Sequence, residues 1–336
     1  MGLWLLDVDT LARGRFVISP LAETVASLLD LERPTACHPA QATWIAAHLP
    51  AYRERLARNP VAAAVVRAGF RPTWIADYLV PAPSGDDTPD VDEELRRVRA
   101  TPPATARADL ATALGGGPLP DVLRRDDVPA HSAALLRWVW TRAVLPDWDR
   151  RRRVLEADVV ARTRQLSDGG WAAALDGLHP HSHWLGDGRL QVNTHDNPPR
   201  SLHGAHLLFV PVTRHSGWVA GAQSDRYALV YPCTGALAGH ADRPAHRALH
   251  ALLGPRRARI LTLLGTPKST THLVALTGSA LGSVGGHLKV LLDAGLVRRG
   301  RAGRSVLYYR SDTGDALVEA AHHGRTDGGS VGSGAV

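Results

Sequence analysis

The chain has 336 residues, 44% of them hydrophobic, a formal net charge of +7 and two cysteines. This length predicts two or three domains with real cores, and glycine and proline that are abundant but not periodic exclude a collagen-like chain. Cys37 and Cys233 are too few for a disulfide scaffold or a thiolate zinc site. No apolar run approaches the ~20 residues of a membrane span. The start, Met1-Gly-Leu-Trp-Leu-Leu-Asp-Val8, has too short an apolar run and no basic lead for a signal peptide. A cytoplasmic protein is expected.

The first part of the chain reads as helical. Ser19 is an N-cap and Pro20 a first helical position, opening a helix over 21–31. Further helices are expected over 44–56 and 61–68, the latter ended by Gly69 and Pro72, and over 92–99 after a Pro/Ser/Gly/Asp loop at 81–89. After the breaker Gly115-Gly-Gly-Pro118 come helices over 131–144 and 147–166, joined at Pro146 and closed by Gly169-Gly170, and a short one over 171–178. The character changes at His179. Strands at Trp184-Leu185 and 189–192 flank Gly186-Asp187-Gly188, a hairpin signal, and 206–212 and 227–231 are apolar runs of strand length. The expected fold is therefore α+β: helical to about residue 178, then a small sheet over 179–232. Residues 233–242 read as a linker.

The C-terminal part reads as a winged helix-turn-helix. Short helices over 256–264 (Ile260, Leu263, Leu264 on one face) and 270–277 (Leu273, Leu276) precede a break at Gly278. A longer helix follows over 280–294, with Val284, Leu288, Leu291 and Leu292 at i, i+4, i+7, i+8. Gly295 closes it as a left-handed cap. Strands over 296–299 and 305–310 surround a basic turn at 300–304. Helix, turn, helix and basic hairpin form a geometry that lays a helix in a DNA major groove. From Arg243 to Arg310 there are twelve Lys or Arg and one acid, Asp293. That surplus exceeds the charge of the whole chain, so polyanion binding is expected here. The domains expected are 1–240 for sensing or assembly, 241–323 for DNA binding, and a disordered tail over 324–336, which has linker composition.

On the long helix, the face opposite the apolar stripe carries Ser279, Gly282, Gly286, Lys289 and Asp293, with Ser283 at its edge. Glycine offers nothing to a base edge, so base reading falls to Ser283, His287 and Lys289, within a surface that includes Ser279 and Gly286. Phosphate contacts fall to Arg298, Arg299, Arg301 and Arg304, and an Arg at the turn is placed to read minor-groove width. His272 reads as packing or a phosphate contact.

Three segments resemble the ArsR-type winged-helix regulators: Leu253-Gly-Pro-Arg-Arg-Ala-Arg-Ile-Leu-Thr-Leu-Leu264, His287-Leu-Lys-Val-Leu-Leu-Asp-Ala-Gly-Leu-Val-Arg298 and Arg304-Ser-Val-Leu-Tyr-Tyr-Arg310. The resemblance implies a homodimer held through 243–253 and 313–322, two half-sites on double-stranded DNA roughly 34 Å apart, and usually repression. Phe16-Val-Ile-Ser-Pro-Leu-Ala-Glu23, Glu94-Leu-Arg-Arg-Val-Arg-Ala-Thr-Pro-Pro103 and Leu229-Val-Tyr-Pro232 are similar to segments of an actinobacterial subgroup with a long N-terminal domain of unassigned function. The family's metal sites do not carry over. The segment from Ser269 to Leu276 has no Cys, and Asp312 is distant in sequence from His322 and His323.

His179, His181, His183, His195, His203 and His206 cluster with Asp187 and Asp196. His181 and His183 have a usable ligand spacing on a strand, but Pro198-Pro199 and several glycines interrupt the segment. Surface-loop histidines are expected, with a metal or inducer site as the alternative. Gly115-Gly-Gly-Pro118 lacks the Lys-Ser/Thr of a phosphate loop, and no catalytic triad is recognisable, so no catalytic residue, metal or cofactor is expected. The tryptophans of the N-terminal half read mainly as core. The expectation is a DNA-binding transcriptional regulator, not an enzyme, with an N-terminal domain that binds a small-molecule effector or mediates assembly. The alternative is a metal-dependent hydrolase with a DNA-targeting C-terminal domain.

Overall fold

Capping side chains place the first helices. Asp7 Oδ1 accepts from the Thr10 amide at 2.7 Å and opens a one-turn helix, so the first sixteen residues give β1 (Gly2–Leu5), α1 (Val8–Ala12) and β2 (Arg15–Phe16). Ser19 Oγ accepts from the Ala22 amide at 2.9 Å, and α2 (Pro20–Glu32) begins at the proline as its sequence predicts. α3 (Pro39–Ala57) follows, then α4 (Pro60–Gly69), capped by Asn59 Oδ1 on the Ala62 amide at 3.0 Å. α5 (Val91–Ala100), α6 (Pro103–Ala113), α7 (Val128–Val139) and α8 (Trp148–Leu175) complete the helical part of this unit. The computed structural model describes residues 2–36, 39–85, 90–175, 178, 182–195, 197–213, 217–221, 225–233, 244–265, 267–277, 279–302 and 305–323. It forms two compact units, Met1–Ala236 and Leu237–Val336.

Two helical details differ from expectation. α1 and α6 add to the expected helices; α6 is Ala-rich and starts with Pro103 at its first position. The helix expected over 131–144 is α-helical only to Val139. A π turn, Trp140–Val144, and a 3-10 turn, Leu145–Asp147, lead on into α8. Pro146 cannot donate to the preceding turn and its ring crowds it, so the backbone widens there. At Gly169 and Gly170 the chain leaves helical geometry, with Gly170 at φ 67°, which is the break expected there, and a short second helical segment follows to Leu175.

The small sheet expected over 179–232 is larger than that range. β3 (His183–Trp184), β4 (Arg189–Asn193), β5 (Arg200–Ser201), β6 (His206–Val212), β7 (Trp218–Ala220) and β8 (Arg226–Pro232) join the two N-terminal strands in two four-stranded sheets. One has the order β3-β4-β1-β5 and contains the expected hairpin, with His183 opposite Gln191. The other has the order β2-β6-β8-β7, with β2, β6 and β8 parallel and β7 antiparallel. β6 and β8 are buried on both faces. Leu208, Val210, Val212, Ala228 and Val230 pack into the helical core around α2, α4 and α7. Leu207, Phe209, Leu229 and Tyr231 pack with Trp4, Leu175 and Leu190. Burial on both faces is why these strands read as continuous apolar runs. Wholly buried Glu23 of α2 accepts from Arg151 Nη1 of α8 at 2.5 Å and from the Thr213 amide at 2.9 Å. It thereby ties two helices to the end of β6.

The second unit contains α9 (Pro244–Leu253), α10 (Pro255–Leu263), β9 (Lys268–Ser269), α11 (Thr270–Thr277), α12 (Leu281–Asp293), β10 (Val297–Ala302), β11 (Ser305–Arg310) and α13 (Asp312–His323). The strands form one antiparallel sheet, β10-β11-β9. Ala258, Ile260, Leu261, Leu273, Leu276, Val284, Leu288, Leu291 and Val297 are among its buried apolar residues. α12 ends as the sequence predicts: Gly295 has φ 66°, and the amides of Gly295 and Leu296 reach the carbonyls of Leu292 at 2.9 Å and Leu291 at 3.0 Å. Ser311 Oγ donates to the Gly295 carbonyl at 2.6 Å and accepts from the Gly314 amide, fixing α13 to that turn. A Cβ at Gly314 would collide with the Leu296 carbonyl oxygen, so this close approach requires glycine. Of the linker expected over 233–242, Cys233 continues from β8, its amide donating to the Val212 carbonyl at 2.9 Å, while residues 234–242 and the tail over 324–336 lie outside the described residues.

Candidate nucleic-acid interface

α12 and the β10–β11 hairpin hold the residues that the sequence singles out. Val284, Leu288 and Leu291 are buried, which turns the opposite face of α12 outward. Gly282, Gly286, Lys289 and Asp293 are exposed there, and Ser283 and His287 are half-buried, whereas Ser279 is half-buried but precedes the helix, which starts at Leu281 after its N-cap Ala280. Ser283 Oγ and His287 Nε2 lie 3.4 Å apart, one helical turn from each other. A Cβ added to Gly282, Gly285 or Gly286 would meet nothing within 4 Å. Packing within the chain therefore does not require glycine at these three positions.

On the hairpin, Arg298, Arg299 and Arg301 are exposed, and Arg304 lies outside the described residues. The register sets Arg299 opposite Tyr308 and Arg301 opposite Val306 on one face, and Arg298 opposite Tyr309 on the other. Arg298 Nη2 lies 3.5 Å from Asp312 Oδ2, a loose exposed pair. Arg299 and Arg301 have no acidic partner among the described residues.

Other basic residues counted in the surplus serve the fold instead. Lys268 is buried. Arg310 Nε lies 2.9 Å from Asp315 Oδ1. Arg259 donates to the Leu276 carbonyl at 3.1 Å and Arg257 to the Leu253 carbonyl at 2.6 Å. His272 is pushed down to about 3, first by burial and then by the nearby Lys268 charge, so it is neutral near pH 7 and adds no cation. The exposed positive groups of the unit include Arg256, Lys289, Arg298, Arg299 and Arg301.

Helical projection did not identify Leu281. At ~100° per residue it falls close to Leu288, so the wheel assigns it to the buried stripe. It is exposed at the start of α12, as is Val290 in the third turn. The stripe is already complete without Leu281, and this redundancy was the available sequence signal.

His183, His195 and His203 are exposed and His206 is half-buried, while His179, His181 and Asp196 lie outside the described residues. Among the described residues no group of three or more His, Cys, Asp or Glu is placed to hold a metal ion. Cys233 is buried, and Cys37 lies outside the described residues. Trp4 and Trp140 are core residues, and Trp44, Trp74, Trp138, Trp148 and Trp171 pack against the cores. Among the described residues no helix is long and apolar enough to cross a membrane. Comparisons with protein-family models, curated proteins and solved structures returned no match.

Proposed function

We propose that the Leu237–Val336 unit is a winged helix-turn-helix and that the protein is a DNA-binding transcriptional regulator. The observation that carries this reading is the pairing, within one unit, of an outward helix face with a hairpin on which Arg298, Arg299 and Arg301 are exposed. α12 has the length and exposure of a recognition helix, and β10–β11 those of a wing. In this reading Ser279, Ser283, Gly286, His287 and Lys289 face the major groove, and Arg298, Arg299, Arg301 and Arg304 hold phosphates or enter the minor groove. The resemblance to ArsR-type regulators adds a homodimer, with α9 and α13 at the contact, and repression in the cytoplasm. The Met1–Ala236 unit then binds a small-molecule effector or strengthens assembly. An effector acts only by preferring one dimer geometry over another.

The test is a gel shift of the full chain on genomic fragments over a salt series. Retarded complexes whose affinity falls steeply with salt are expected. No complex at low salt defeats the reading.

A further inference from the structure

Leu281 is an exposed apolar side chain at the end of α12 that the proposed function directs towards DNA. It is the first residue of the helix and 59% exposed. The helix around it is bare, because Gly282, Gly285 and Gly286 have open space where a side chain would stand. Ser283 and His287 are the polar side chains of this half of α12, and they face each other at 3.4 Å. An apolar group cannot pair with the donors and acceptors of a base edge. The thymine 5-methyl is the apolar feature of the major groove.

We propose that Leu281 is a specificity-determining residue that reads thymine by packing on its 5-methyl group. The inference rests on the DNA-binding reading above. Charge complementarity favours DNA over a second copy of this chain as the occupant of the N-terminal end of α12. Lys289 is exposed on the same helix and Arg298, Arg299 and Arg301 on the hairpin that follows, a surface that attracts a polyanion and repels its own like. Residues at the N-terminal end of a recognition helix are the ones that reach base edges. The missing side chains at Gly282 and Gly285 leave Leu281 unobstructed.

The experiment uses the full chain. Bound duplexes are selected from a random pool, and each thymine of the selected site is then replaced by uracil, which deletes only the methyl. At one thymine per half-site, uracil should weaken wild-type binding about fourfold, the equivalent of about 0.8 kcal/mol. Leu281→Ala should bind thymine and uracil duplexes equally, with an unchanged circular dichroism spectrum because the side chain is exposed. Equal wild-type binding to every uracil duplex overturns the inference but leaves DNA binding intact. So does a Leu281→Ala protein that still discriminates. A Leu281→Ala variant that changes solution mass instead of discrimination assigns the face to a second copy. Absence of any complex at low salt overturns this inference and the function together.

Discussion

Removing Arg299 and Arg301 together should flatten the salt dependence of DNA binding, whereas removing Arg310 should not. All three are arginines of one hairpin, but their surroundings differ. Arg299 and Arg301 are exposed, while Arg310 Nε lies 2.9 Å from Asp315 Oδ1 and its backbone amide donates to the Leu264 carbonyl at 3.2 Å. Each phosphate contact contributes about 0.9 to the slope of log affinity against log salt. Arg299→Ala with Arg301→Ala should therefore lower the slope by about 1.8 if one copy binds and about 3.6 if two bind. Over a fourfold rise in salt, wild type should lose roughly twelvefold more affinity than the double variant in the first case, and roughly 150-fold more in the second. Fluorescence anisotropy on a labelled duplex between 50 and 200 mM salt, as round working values, reads both slopes (about fourfold in salt). Identical slopes refute phosphate contact by the hairpin. An Arg310→Ala slope that falls as far shows that net charge at a distance, not contact, carries the effect.

Gly282→Ala and Gly286→Ala should each raise the stability of the second unit by about 1 kcal/mol, because a Cβ there meets nothing within 4 Å; a lower melting temperature would contradict this. Glu23→Ala removes the closer carboxylate of buried Arg151, leaving Asp147 Oδ2 at 3.7 Å, and should destabilise the first unit by about 3 kcal/mol. All nine tryptophans lie in that unit, so urea titration followed by their fluorescence isolates it, and an unchanged midpoint would refute the estimate. Glu94 and Asp77 in the first unit and His272 in the second should contribute oppositely to stability as pH changes. Burial raises Glu94 to about 7 and Asp77 to about 6, so their contribution is full below their ordinary values and is lost as pH rises to those values. His272 is lowered to about 3, so its contribution is full above 6.5 and is lost as pH falls towards 3. Glu94→Gln should flatten the tryptophan-detected stability between pH 4.5 and 7, starting from the ordinary glutamate value, and leave amide exchange in α11 unaffected; an unchanged slope argues against a raised Glu94.

What could be read from the sequence follows the range of the interactions involved. α10, α11 and α12 carry their own stripes and caps, and Gly295 marks the end of α12 by its positive φ, so local pattern suffices there. β9 is two residues long and is defined only by pairing with β11, which no local pattern reveals. The parallel pairing of β2 with β6 sets Arg15 beside Leu208, far apart in sequence, and β1 pairs just as remotely with β4. At the candidate site, residue type showed where positive charge accumulates. It did not separate Arg299 and Arg301 from Arg310 or Lys268, because an ion pair and a buried position depend on packing contributed by other elements.

α12 bears directly on whether the second unit works alone. Three glycines in its 13 residues disfavour helix by about 1 kcal/mol each relative to alanine. Burial of Val284, Leu288 and Leu291 contributes about 1.5–3 kcal/mol apiece, which outweighs that penalty. α12 is therefore a helix because α10 and α11 pack against it, and both belong to the same unit. Two consequences follow. A peptide of residues 281–293 should be unstructured, since even good helix formers are marginal at about 12–15 residues. A fragment of residues 242–323 should fold and bind DNA, more weakly than the full chain if the first unit aids assembly. Circular dichroism of peptide and fragment, followed by a gel shift of the fragment at low salt, tests both. A helical peptide would mean that the packing argument is mistaken. A folded fragment with no affinity for DNA would show that residues 1–236 supply an essential contact, and the division of labour between the units would fail.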